Sequence, residues 1–225
     1  MKNYVLLSDK NWHDSLFLFL SKNIEGNWTR IEERKDFSAL FLNNLQPVYI
    51  FIPHWSFIIP KDIHKNFNCI VFHMTDLPYG RGGSPLQNLI VRGQKHTMIS
   101  AIKVTTGLDT GDIYLKRPLD LYGTAEEIFI RASKVIREMI VDIISLTPDP
   151  KAQSGEITVF KRRIPDEGNI LGLTDLDQVY DFIRMLDCKG YPHAFLEVGE
   201  LRLEFSRPSL KCDQSIVADV RISKK

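Results

Sequence analysis

Short apolar runs alternate with amphipathic segments across the first two thirds of the chain. Residues 4–7 (Tyr-Val-Leu-Leu) predict a strand, 12–22 a helix, 28–31 a weaker strand and 37–42 a helix. Residues 48–52 read as a buried strand stopped by Pro53, and further strands fall at 69–72 and 97–104. Between those two, residues 86–91 predict a helix closed by Gly93. Strands alternating with helices imply βαβ units, hence an α/β fold with a Rossmann-like, mostly parallel sheet.

Residues 113–121 add one more strand. Thr124-Ala125-Glu126-Glu127 has the form of a capping box, and the helix it opens runs to about Leu146 with Ile128, Ala132, Val135, Met139 and Ile143 on one face. Thr147-Pro148-Asp149-Pro150 breaks the pattern, and residues 153–160 with Lys161-Arg162-Arg163 read as a connector. A helix over 174–187 ends before Gly190-Tyr191-Pro192. Alternating runs at 194–198, 201–205 and 216–222, with Gly199-Glu200 as a tight turn, predict a small antiparallel β appendage. The expected division is a catalytic α/β domain over 1–150 and a connector, helix and β-hairpin region over 151–225.

The chemistry concentrates at the end of one strand. An apolar run delivers His73 to its carboxyl end, where Pro78, Gly80, Gly82 and Gly83 break the chain into a loop. Open α/β sheets bind ligands outside the carboxyl ends of their strands, so His73 is a site candidate, against the plainer reading of a turn-capping histidine. A second loop, Thr105-Thr106-Gly107-Leu108-Asp109-Thr110-Gly111-Asp112, follows the next apolar strand. Asp109 alone suits a turn; beside a strand-end histidine it is a candidate to orient or ionise the imidazole.

Other motifs are excluded. Gly80-Arg81-Gly82-Gly83 lacks the third glycine of a dinucleotide fingerprint, because position 85 is proline, and no Gly-Lys-Ser/Thr follows it. The six histidines include no His-Glu-x-x-His, and Cys69, Cys188 and Cys212 are too scattered for a zinc site or a disulfide framework. No Gly-x-Ser-x-Gly elbow supports a serine hydrolase. A net charge of +1 gives no electrostatic case for nucleic acid or an anionic membrane, and no apolar run approaches the length of a bilayer span. The expectation is a cytoplasmic protein with no nucleic-acid or membrane partner.

The ordered set His73-x-x-x-Leu77-Pro78-x-x-Arg81-Gly82-x-x-Pro85, then Gly93, then Asp109-Thr110-Gly111, resembles the formyltransferase family, whose formyl donor is 10-formyltetrahydrofolate. The resemblance covers roughly residues 48–121 and extends weakly to Gly190-Tyr191-Pro192-His193-Ala194-Phe195. It implies the formyltransferase fold, with His73 and Asp109 as catalytic residues. It places the pterin against Trp55, Ile58, Ile59, Leu77, Thr105, Thr106, Gly107 and Leu108, and the acceptor against Arg81, Gly82, Ser84 and Gln87. The wording of residues 72–88 is similar to formyltransferases of pseudaminic-acid-type sugar pathways. The expected acceptor is therefore the amine of a nucleotide-linked amino-deoxysugar, with UDP-4-amino-4,6-dideoxy-N-acetyl sugars foremost. The alternatives are a methionyl-tRNA or glycinamide ribonucleotide formyltransferase, or a silent folate- or nucleotide-sugar-binding module. One departure stands out: Val71 occupies the position where most members carry an Asn, two residues before the histidine. His54, Gln87 and Asn88 are candidate replacement donors, and the appendage is a candidate homodimer surface.

Overall fold

A computed structural model describes residues 1–225. Its strands are β1 (Asn3–Leu7), β2 (Asn27–Ile31), β3 (Tyr49–Ile52), β4 (Cys69–His73), β5 (Arg81–Gly82), β6 (His96–Lys103), β7 (Ile113–Asp120), β8 (Val159–Phe160), β9 (Ala194–Val198), β10 (Leu201–Leu210) and β11 (Ile216–Lys224). Its α-helices are α1 (Asp14–Asn23), α2 (Ala39–Leu45), α3 (Lys61–Asn66), α4 (Pro85–Val91), α5 (Ala125–Leu146) and α6 (Leu176–Arg184). The chain folds into two compact units, each discontinuous in sequence. Residues 1–82, 97–119 and 130–159 form the first, and 83–96, 120–129 and 160–225 the second.

The first unit carries a six-stranded sheet in the order β2-β1-β3-β4-β6-β7. Strands β2, β1, β3 and β4 run parallel. β1 is buried from Tyr4 to Leu7 on both faces, as the centre of a parallel sheet requires. A core of Val5, Leu7, Ile31, Leu42, Ile50, Ile52, Ile63 and Cys69 lies against one face. The expected mostly parallel fold is the one observed, with one reversal: β6 is antiparallel to β4, pairing Ser100 with His73 and Ile102 with Val71. An apolar run fixes burial but not direction, so the pattern could not show the reversal.

Local chemistry accounts for the helix starts. Ser38 accepts from Phe41 N–H at the start of α2, and Asp175 from Gln178 N–H at the start of α6. The predicted capping box forms: Thr124 N–H donates to Glu127 Oε2 at 2.8 Å, and Glu127 N–H to Thr124 Oγ1 at 3.3 Å. Helix α3 escaped prediction because it has six residues and buries only Ile63.

A buried and a half-buried imidazole follow the carboxyl ends of β1 and β3. His13 Nδ1 lies 2.9 Å from Ser133 Oγ, and His54 packs edge-on to Trp12. Burial holds His13 well below its ordinary range and brings His54 down to about 4, with nearby positive charge adding to both shifts. His54 thus stays neutral in the folded chain to about pH 4 but takes up a proton near pH 6.5 once unfolded. Its contribution to stability is complete above that value and is lost as pH falls towards 4. Urea unfolding at pH 5 is expected to show about 2 kcal/mol less stability than at neutral pH from this group alone. A flat profile across that interval would contradict it.

In the second unit β11, β10 and β9 form an antiparallel sheet. Both β10 and β11 run longer than the alternation predicts, since Arg207 at φ 50° and a register shift between Ser206 and Ser209 carry the pairing past Phe205. Arg184 is buried, donating to Asp181 Oδ1 and to the carbonyls of Leu121 and Gly123. No helix of the chain is long and apolar enough to cross a membrane.

Candidate active site

The end of β4 brings His73 and Asp109 together inside the first unit. His73 is 7% exposed. Its Nε2 lies 2.8 Å from the Gly80 carbonyl, and a carbonyl only accepts, so Nε2 carries the hydrogen. Nδ1 then faces Asp109 Oδ2 at 3.6 Å. Thr75 Oγ1 also donates to Gly80 O, and Ser100 Oγ, fully buried, donates to Thr75 O at 2.7 Å and accepts from Leu77 N–H. The ring is held by the turn that follows its own strand.

Asp109 is fixed independently. Its backbone has φ 52°, in the left-handed region that Asp tolerates better than most residues. Its Oδ2 accepts from Gly82 N–H at 2.9 Å, so the two loops expected to converge do so through a backbone donor bared by glycine. Gly111 allows the close turn beneath it: a Cβ there would lie 1.6 Å from the Lys103 carbonyl oxygen. The pair has the parts for proton handling, a carboxylate acceptor beside an imidazole nitrogen, shielded from bulk water.

The other expected site residues separate by environment. Trp55, Ile59, Val71 and Val104 are half-buried and pack on the apolar core, a surface suited to one face of a planar heterocycle. Edge contacts to Phe37 and Phe57 fix the Trp55 indole. Ile58 is 88% exposed and Leu108 63%, while Thr105, Thr106 and Gly107 share the exposed loop before Asp109. Leu77 is fully buried, and its carbonyl accepts from Lys116 Nζ, so any contact it offers is through backbone. Arg81 donates from Nε and Nη2 to Gln153 Oε1.

In the second unit, Ser84 Oγ accepts from Arg163 N–H. Gln87, buried, donates to the Met185 carbonyl, and Asn88 Nδ2 donates to the carbonyls of Gly83, Ser84 and Lys161. Both carboxamides are thus committed to packing within that unit. Gln153 sits in the apparent connector, where a lone glutamine gives no periodic or motif signal.

Comparison with known proteins places this geometry in a class. A family profile described as formyl transferase matches residues 4–144, and a methionyl-tRNA formyltransferase C-terminal domain profile matches residues 165–223. The chain belongs to the formyl transferase family, one-carbon transferases whose donor is 10-formyltetrahydrofolate. A solved methionyl-tRNA formyltransferase from Clostridium thermocellum shares 52% identity over the full length of both chains, with a TM-score of 0.97. The methionyl-tRNA formyltransferase of Rickettsia bellii is 30% identical over 145 residues, covering 61% of this chain and 47% of that protein. The chain spans about half the length of the curated relatives it matches. A sugar N-formyltransferase from a Shewanella species covers all of this chain at 16% identity with a TM-score of 0.66, a likeness of fold alone.

These matches overturn two expectations. The nucleotide-sugar acceptor and the exclusion of nucleic acid are both contradicted by relatives that are methionyl-tRNA formyltransferases over the catalytic and C-terminal regions alike. The error came from reading a whole-chain charge of +1 as if it described every surface. It also came from weighing the loop wording of residues 72–88 above the rest of the chain.

Proposed function

We infer that this chain transfers a formyl group from 10-formyltetrahydrofolate to the amine of methionyl-tRNA. The observation that carries the reaction is the shielded His73–Asp109 pair at the end of β4, in a chain of the formyl transferase family. The acceptor follows from the names of its relatives. The local run Lys161-Arg162-Arg163, with Lys161 and Arg162 exposed, suits phosphate contacts that the net charge conceals.

The bound folate supplies the formyl carbon, and Trp55, Ile59, Val71 and Val104 would hold its apolar ring face. The new bond joins the acceptor nitrogen to that carbon as the carbon's bond to the folate nitrogen breaks. The acceptor amine gives up one proton and the departing nitrogen takes one up. Asp109 Oδ2 is the acceptor for the first, and the His73 imidazole, fixed through Nε2 by Gly80, relays the second. Val71 brings no carboxamide to β4, and Gln87 and Asn88 are engaged elsewhere, so charge on the formyl oxygen falls to backbone donors and to His73 Nε2–H once it turns from the Gly80 carbonyl.

The test is incubation with 10-formyltetrahydrofolate and methionyl-tRNA, followed by ester hydrolysis and mass spectrometry of the released amino acid. N-formylmethionine that depends on both folate and chain is the expected product. Unmodified methionine, from tRNA that an authentic formyltransferase does formylate, would overturn the reading.

A further inference from the structure

The stretch after α5 runs beneath the site and touches both of its loops. Lys151 and Ile113 exchange backbone hydrogen bonds of 2.8 and 2.9 Å, which lays the segment along the start of β7. Further on, the Thr158 carbonyl accepts from the N–H groups of Gly80 and Arg81, both at 3.0 Å. Between these anchors lies Gln153, half-buried, with its whole carboxamide in use. Its Oε1 accepts from Arg81 Nε at 3.1 Å and Nη2 at 2.8 Å. Its Nε2 donates to the carbonyls of Asp109 and Gly111, both at 2.8 Å.

Those two carbonyls bracket the left-handed turn that aims the Asp109 carboxylate at Gly82 N–H and His73 Nδ1. The same carboxamide grips Arg81, which adjoins both Gly80, the acceptor for His73 Nε2, and Gly82. We propose that Gln153 is a positioning residue for formyl transfer: by joining the Asp109–Gly111 turn to Arg81, it sets the carboxylate against the imidazole. This rests on the reading of His73 and Asp109 as the reacting pair. A carboxamide is required, because two carbonyls demand two donors while the Arg81 fork demands an acceptor. A carboxylate there satisfies Arg81 and repels both carbonyls.

The test uses the whole chain and the variants Gln153→Glu and Gln153→Ala. Amide hydrogen exchange at Gly82 reports the Asp109 carboxylate directly, since that carboxylate is the amide's acceptor. Both variants are expected to lower Gly82 protection by about tenfold or more, while amides in the β4–β6 ladder keep wild-type protection. In the formyl-transfer assay kcat is expected to fall by about tenfold or more, with the KM for 10-formyltetrahydrofolate within about twofold. Wild-type protection at Gly82 in both variants would overturn the proposal, and so would loss of protection throughout β4, which marks a merely structural role. A wild-type chain that transfers no formyl group counts against the reaction, and the exchange result then decides the positioning role by itself.

Discussion

Replacing His73 by alanine is expected to lower the rate of formyl transfer by roughly a thousandfold. The ring stands where the sheet ends, its Nε2 taken by Gly80 and its Nδ1 facing Asp109, and no other imidazole meets Asp109. His13 faces Ser133 Oγ and His54 packs edge-on to Trp12, both beyond the ends of other strands. Asp109→Asn in the same assay separates charge from shape, because its amide oxygen still accepts from Gly82 N–H while the proton acceptor is gone. A loss of about a hundredfold or more is expected there. Thermal unfolding midpoints measured alongside should move little for Asp109→Asn. Turnover within a few fold of wild type in His73→Ala would remove the histidine from the mechanism.

Gly111→Ala carries the second large effect, through backbone rather than chemistry. The added Cβ would sit 1.6 Å from the Lys103 carbonyl oxygen, and backbone cannot rotate away as a side chain can. Lys103 N–H also donates to the Asp112 carbonyl at 2.9 Å, so the junction of β6 and β7 has to open to admit one methyl group. Overpacking of this kind costs about 1–3 kcal/mol, read as a lower urea midpoint. Asp109 lies two residues away, and a shift of about 1 Å there is expected to cost roughly a hundredfold in kcat. A variant with wild-type midpoint and turnover would show that the turn is not closed as described.

What the sequence disclosed follows from which forces are local. Burial of an apolar run is local, so the sheet strands, the strand-end position of His73 and the capping box at Thr124 were legible. Convergence of the loops holding His73 and Asp109 came from a family motif, and its atomic form, Gly82 N–H on Asp109 Oδ2, did not. The direction of β6 depends on its partner rather than on its own residues. The family resemblance set Gln87 against the acceptor, yet α4 is buried from Leu86 to Ile90 and absorbs its amide into a bond with Met185 O. Gln153 was hidden for the converse reason: its work is long-range hydrogen bonding from an irregular segment, which leaves no periodic trace. The acceptor was misjudged because charge summed over a chain carries no information on where the charge lies.

The most direct test of the site is a crystal structure of the chain bound to 5-formyltetrahydrofolate, a stable isomer of the donor. The pterin is expected against Trp55 and Ile59, flanked by the 105–108 loop, with the transferring end of the folate beside His73 and Asp109. A folate bound elsewhere, or one bound in that slot with its reactive end directed away from His73, would contradict it.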